Sequence, residues 1–103
     1  MKKLLSKIKT IHGDIELVWP TKILDNNKKT ELYGLTNYNE KFRIAIQKGL
    51  EKKVEQQTIM HELIHVFTIP FSVDISEHEV EILSIQIIHF LKNNPELVKY
   101  LTR

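Results

Sequence analysis

The stretch that decides the fold occupies residues 58–67 and reads TIMHELIHVF. In a helix, which turns about 100° per residue, its six apolar residues cover most of the circumference. His61, Glu62 and His65 fall in the remaining sector. A helix that is apolar nearly all round is typically buried, and burying one glutamate and two histidines costs several kcal/mol unless these groups are paired or bind an ion. We therefore predict a buried helix with a polar site on one side.

The spacing of the two histidines favours a metal ion in that site. Residues four apart in a helix lie on one face about a turn apart, so the imidazoles of His61 and His65 can reach the same ion. Glu62 lies beside them, where it can accept a proton from a metal-bound water. The chain contains no cysteine, so a transition metal must be held by His, Asp or Glu. The alternative is a buried hydrogen-bond network of the same three side chains without a metal.

The chain before this stretch is typical of β-strands. Residues 8–19 predict a hairpin. An apolar run at 32–36 and the alternation of apolar and polar residues at 42–46 predict two further strands. Polar segments at 25–29 and 37–40 supply a surface loop and a turn between them. We expect one small, mostly antiparallel sheet.

The chain from residue 50 onward is typical of helices. The first helix should run from about residue 50 until Pro70 forbids its continuation. A second begins after Ser76, which can form a capping box with Glu79, and a short third helix should run from Pro95 to about residue 101. The fold class is therefore α+β, a single domain over residues 1–103 with the sheet packed on the first helix. The apolar residues of the second helix that should form its buried stripe are Val80, Leu83, Ile87 and Leu91.

Composition and charge exclude several classes of protein. With 42% hydrophobic and 27% charged residues among 103, the chain is typical of one globular domain rather than of a disordered segment. Its net charge of +2 is too small to argue for nucleic-acid binding. No apolar run approaches the roughly 18 residues of a membrane span, and the lysine-interrupted start of the chain has no apolar signal region. We expect a cytoplasmic protein that partners neither nucleic acid nor a membrane.

The motif and its surroundings resemble those of a zincin. Residues 58–67 fit the extended zincin pattern, in which uncharged residues flank the histidines. Over most of the chain, the order of strands, motif helix and acidic helix is similar to that of the small phage and prophage zincin-like metallopeptidases, which are related to the ImmA/IrrE group. Metzincins would carry a glycine and a third histidine where this chain has Thr68 and Phe71, so the resemblance is to the gluzincin type. It implies a minimal zincin-like domain, Zn²⁺ held by His61 and His65, and a glutamate on the following helix as third ligand.

Three glutamates of the second helix compete for that place. Glu77 and Glu81 lie along one flank of the predicted buried stripe, whereas Glu79 lies on the far side and already has a capping role. We predict Glu77 as the ligand. We expect Glu81 to accept the outer N–H of a ligand histidine and so fix its tautomer. Glu81 and Glu79 both stay open as alternative ligands.

Residues and resemblance together predict a zinc metallopeptidase. The zinc would acidify a bound water, and Glu62 would take its proton during attack on a peptide carbonyl and pass it to the leaving amine. The resemblance implies an intracellular protein substrate, such as a repressor or other regulator, bound as an extended peptide along a sheet edge. Two alternatives stay open: a non-catalytic zinc-containing binding or regulatory module of phage or prophage origin, and a structural zinc site that joins two helices.

Overall fold

The computed structural model describes residues 5–24, 31–38 and 41–103. It confirms the predicted α+β class. The predicted polar loop at 25–29 and the second half of the turn at 37–40 lie outside the described residues, whereas residues 37 and 38 belong to a strand rather than to a turn. The strands are β1 (Lys7–Thr10), β2 (Gly13–Val18), β3 (Ile23–Leu24), β4 (Glu31–Leu32), β5 (Gly34–Tyr38) and β6 (Phe42–Ile46). The helices are α1 (Lys52–Thr68), a 3₁₀ turn (Ile69–Phe71), α2 (Glu77–Asn93) and α3 (Pro95–Thr102).

The main sheet has four strands in the order β1-β2-β6-β5. The β1–β2 hairpin and the β5–β6 pair are antiparallel, so the sheet is mostly antiparallel as expected. The middle pair, β2 with β6, is parallel, which makes the sheet mixed. The short strands β3 and β4 form a separate antiparallel pair. Strand β5 therefore lies at one edge of the main sheet.

One face of this sheet packs against α1 and forms the core. The alternation in β6 places Phe42, Ile44 and Ile46 inside, with Arg43 exposed between the first two. Strand β2 follows the same period of two, because successive side chains of a strand point to opposite faces. Each fully buried isoleucine contributes about 1.5–3 kcal/mol relative to an exposed one. The buried cluster comprises Ile15, Leu17, Phe42, Ile44, Ile46 and Val66.

Helix α1 ends just before Pro70, as predicted. Its last residue is Thr68, and Pro70 lies in the following 3₁₀ turn, where it interrupts no α-helical hydrogen bond. The prediction of a helix buried nearly all round is wrong in extent. Only Glu62, Ile64 and Val66 are buried, and Phe67 remains 46% exposed. The reason is that this small domain covers α1 with one sheet and one helix, which leaves part of the helix surface open.

Helix α2 begins with the predicted capping box. The Glu79 backbone N–H donates to Ser76 Oγ at 3.1 Å, and the Ser76 backbone N–H donates to Glu79 Oε1 at 2.9 Å. The predicted buried stripe is only partly correct, because Leu83 and Leu91 are each 41% exposed. The fully buried residues of α2 are Val80 and Ser84, both in its first half. A helical wheel assumes neighbours along the whole helix, whereas the core covers only the first half of α2.

Helix α3 follows directly after α2, as predicted. Asn94 separates the two helices, but its side chain donates to the Phe90 carbonyl at 2.9 Å instead of capping α3. Pro95 occupies the first turn, where its missing N–H is not needed. In the part of the chain that the structure describes, no helix has both the length and the apolar character needed to cross a bilayer.

Candidate metal centre

The two motif histidines lie side by side on α1. Their ring centroids are 5.2 Å apart, and both side chains are largely buried, with 16% and 20% of the His61 and His65 side-chain surfaces exposed. This proximity follows from their spacing of four residues on one helix. Both rings face the first turns of α2, which bring the acidic residues predicted from the sequence.

Glu77, the first residue of α2, bridges both histidines. Its Oε2 lies 3.0 Å from His61 Nε2, and its Oε1 lies 3.0 Å from His65 Nε2. One potential ligand atom from each of these three residues lies within 4.8 Å of the others. Zinc bonds of about 2.0–2.2 Å in a tetrahedron place ligand atoms about 3.4 Å apart. The three side chains therefore fit a zinc ion after a small outward movement of Glu77, whose side chain is 75% exposed.

Glu81 contacts His61 from the other side of the ring. Its Oε2 lies 3.0 Å from His61 Nδ1. When Nδ1–H donates to this carboxylate, the lone pair of Nε2 is free and directed toward Glu77. Glu81 thus has the position predicted for a residue that fixes the tautomer of a ligand histidine.

Glu79 is directed away from the histidines and serves the helix cap. Hydrogen bonds from the Ser76 backbone N–H and hydroxyl hold the pKa of Glu79 below its ordinary value. This geometry places Glu79 outside the group of three possible metal ligands, which contains Glu77 instead.

Glu62 points from α1 toward the sheet instead of toward α2. It is only 7% exposed, and the Thr36 hydroxyl on β5 donates to its Oε1 at 2.7 Å. Burial raises the pKa of Glu62, while the hydrogen bond from Thr36 and the charges of His61 and His65 act in the opposite direction and do not cancel the effect of burial. A buried carboxyl group with a raised pKa beside two histidines is typical of a group that takes up and releases protons.

A glycine on β5 makes room for Glu62. A Cβ atom at Gly34 would lie 2.7 Å from Thr58 Cγ2, 3.0 Å from Glu62 Cγ and 3.1 Å from Glu62 Oε2. Any side chain at this position would displace Thr58 or Glu62, or move β5 away from α1. Neither Gly34 nor Thr36 was predicted from the sequence as part of the site. The only signal was a glycine within an apolar run, which is typical of a close backbone approach.

A pocket of about 390 Å³ lies beside His61 and three of these carboxylates. Its lining combines these polar groups with apolar side chains from β4 and α1. Such a combination of apolar surface and a few converging polar groups is typical of a ligand site. The lining residues that matter here are His61, Glu62, Glu77, Glu81, Leu32 and Val54.

The edge of β5 beside this pocket carries backbone groups that pair with no other described strand. The Gln47 N–H donates to the Tyr33 carbonyl at 2.8 Å, so these two residues form a hydrogen-bonded pair of the β5–β6 ladder. Because such pairs alternate in an antiparallel ladder, the backbone N–H and C=O of Gly34 and Thr36 point away from β6. No strand in the described ranges pairs with that edge of β5. An extended peptide could add there as a further strand.

Comparison with known proteins adds no relative to this description. No family model, no curated protein and no solved structure matches the chain. The resemblance to zincin-like metallopeptidases therefore stays a prediction from the residues of the motif. Any function proposed for the chain rests on the arrangement of His61, His65, Glu77 and Glu62.

Proposed function

We propose that the protein is a zinc-dependent peptidase in which His61, His65 and Glu77 hold the ion and Glu62 is the general base. The observation that carries this proposal is the division of the acidic groups. One carboxylate, Glu77, meets both histidines at 3.0 Å. A second, Glu62, is buried in the same pocket and is held by β5 instead. A site that only bound a metal would need the first group and not the second.

The ligand set favours zinc in a catalytic arrangement. Two imidazoles and one carboxylate, without thiolates, leave a fourth position open, which is the pattern of hydrolytic rather than structural zinc sites. Zinc in such a site supplies a Lewis acid and brings the pKa of water toward neutrality.

The chain's own residues would then carry the proton and hold the reacting groups. Glu62 takes a proton from water while the water oxygen forms the new bond to the peptide carbonyl carbon. It returns that proton to the amide nitrogen as the C–N bond breaks. Glu81 holds His61 in the tautomer that leaves Nε2 free for the metal.

The substrate we propose is a protein segment in extended conformation. The outward-facing backbone groups of Gly34 and Thr36 would pair with such a segment, and the lining residues Leu32 and Val54 would contact an apolar side chain of the substrate. From the resemblance to the ImmA/IrrE group we further propose an intracellular protein, such as a repressor or other regulator, as the substrate.

A structural zinc site is the second candidate, and one observation favours it. The possible ligands come from two packed helices, so an ion there would tie α1 to α2. In that case removal of the metal should unfold the domain, because structural zinc contributes folding free energy. Glu62 would have no role in such a site.

The Glu62→Gln variant separates the two candidates. The amide keeps the shape of the side chain and an oxygen that accepts from Thr36, but it cannot take up a proton. We expect the variant to bind zinc like the wild type, measured by elemental analysis. We expect it to produce no new N-termini in a proteome-derived peptide mixture read by mass spectrometry, in contrast to zinc-loaded wild type.

The matched control is Glu96→Gln, which removes an exposed carboxylate on α3 that does not line the pocket. It should cleave like the wild type. Cleavage by Glu62→Gln at the wild-type rate would overturn the mechanism. A zinc-loaded wild type that cleaves nothing and unfolds when the metal is chelated would establish the structural site instead.

A further inference from the structure

Strand β5 holds one oxygen of the proposed general base by a hydrogen bond, and within residues 5–24, 31–38 and 41–103 no donor contacts the other oxygen. We propose that Thr36 is a positioning residue that holds Glu62 Oε1, so that Oε2 is the oxygen that exchanges the proton. Gly34 keeps that oxygen within reach of the pocket. This inference rests on the proposed peptidase function and adds two residues and an atom assignment to it.

The contacts of Thr36 point to Oε1 as the held oxygen. The Thr36 hydroxyl has a single proton and lies 2.7 Å from Glu62 Oε1 but 3.2 Å from the Glu62 backbone carbonyl. Because charge-assisted hydrogen bonds to carboxylates are shorter and stronger than neutral ones, the proton is directed mainly to Oε1. One lone pair of Oε1 is thereby occupied, and the rotation of the carboxylate about its last bond is restricted.

The contacts of Gly34 point to Oε2 as the free oxygen. The site of a Cβ at Gly34 is 3.1 Å from Oε2, so any other residue would fill the space next to this atom. Thr58 Cγ2 also borders that space, 2.7 Å from the same Cβ position. Oε2 therefore lies next to the Gly34 backbone, and the side chain of any other residue at position 34 would cover it.

In the proposed reaction, Oε2 takes one proton from water while the water oxygen bonds to the carbonyl carbon. The same oxygen then gives that proton to the amide nitrogen as the C–N bond breaks, so Glu62 ends the cycle in its starting state. No oxidant, reductant or further reactant is needed. Thr36 donates its hydrogen bond throughout and neither gains nor loses a proton.

Thr36 can act in this way because its strand is paired with a core strand. It pairs with Ile44, which is fully buried in the core, and β5 is joined to β6 along its whole length. Functional groups are held most accurately when their supports lie on regular elements. The same strand also carries the free edge proposed for the substrate. The orientation of the base and the docking of the peptide therefore depend on one element.

The test compares Thr36→Val, Thr36→Ser and wild type as zinc-loaded full-length proteins. Valine keeps the branched shape that suits a strand but removes the hydroxyl, and serine restores it. On a peptide that the wild type cleaves, we expect Thr36→Val to lower kcat by about 10- to 100-fold, the order of loss that follows from small misplacement of a reacting group. KM should stay within about twofold, because ground-state binding is unchanged, and zinc content should be that of the wild type. Thr36→Ser should recover most of the rate.

A second measurement does not depend on turnover. The side-chain carboxyl ¹³C resonance of Glu62, assigned with Glu62→Gln, should shift in Thr36→Val at a pH where the group is ionised in both proteins. It should stay near its wild-type position in Thr36→Ser. The matched control is Thr68→Val, which removes a hydroxyl that donates to the Ile64 and His65 carbonyls within α1. This control should change neither the resonance nor kcat.

Three results would overturn the positioning role: an unshifted Glu62 resonance in Thr36→Val, an unchanged kcat in that variant, or a loss of rate that Thr36→Ser fails to recover. An equal loss in Thr68→Val would assign the effect to general destabilisation and would also overturn it. Failure of the proposed function looks different. In that case the zinc-loaded wild type cleaves no peptide, while the resonance still decides whether Thr36 holds Oε1.

Discussion

The zinc affinities of three matched variants provide the sharpest test of the metal centre. Glu77, Glu79 and Glu81 lie within five residues of one helix, and each Glu→Gln change removes one negative charge. In the structure they have three different roles: Glu77 lies 3.0 Å from both His Nε2 atoms, Glu81 lies 3.0 Å from His61 Nδ1, and Glu79 caps α2. If only net charge mattered, the three changes would weaken zinc binding equally. The proposed site predicts three different losses of affinity.

The expected magnitudes follow from these contacts. Zinc sites with four protein ligands bind with about 10–16 kcal/mol, so one ligand contributes about 3 kcal/mol, or a factor of about 100 or more in affinity. Glu77→Gln should therefore weaken zinc binding at least about 100-fold. Partners of a ligand histidine typically contribute 10- to 100-fold. Because the Glu81 side chain is 54% exposed and water can replace it, we expect about 10-fold for Glu81→Gln. Glu79→Gln should change the affinity by no more than about threefold.

The assay is a competition titration of each metal-free protein against a chromophoric chelator of known zinc affinity. Far-UV circular dichroism at each step confirms that the helices are retained. An unchanged affinity in Glu77→Gln would refute the assignment of the third ligand. A larger loss of zinc affinity in Glu81→Gln than in Glu77→Gln would make Glu81 the third ligand instead. Equal losses of affinity in all three variants would show that only net charge matters.

Two further predictions concern the fold. The stabilisation that α2 gains from ionised Glu79 should be complete above the ordinary carboxyl pKa and be lost as the pH falls through its lowered folded-state pKa. The difference in Tm between metal-free wild type and Glu79→Gln should accordingly vanish in acid, and a difference that does not vary with pH would contradict the cap. Ile44→Ala, at a fully buried position, should lower the free energy of unfolding by about 2–5 kcal/mol in urea titrations. Leu83→Ala, at a position 41% exposed, should lower it by about 1 kcal/mol or less, and equal losses would contradict the described core.

Features that depend on near neighbours in the chain were predictable from the sequence. The spacing of His61 and His65 placed their rings together, since four residues make about one helical turn. The capping box of Ser76 and Glu79 formed as expected because its hydrogen bonds span three residues. The alternation at 42–46 likewise placed one face of β6 in the core, since strand periodicity is local.

Features that depend on contacts between distant segments were decided by the tertiary structure. The parallel pairing of β2 with β6 and the exposure of Leu83 are set by how the elements meet, and no local pattern encodes that. The sequence could favour Glu77 over its neighbours on a helical wheel, but only the packing of α2 on α1 brings its carboxylate to both histidines. The surroundings of Glu62 could not be derived at all. Thr36 lies 26 residues away from it in the chain, and the two meet only because β5 packs on α1. The sequence thus determined which side chains could hold a metal and move a proton, and the fold decided which atoms face one another, because long-range packing rather than helix or strand period sets those distances.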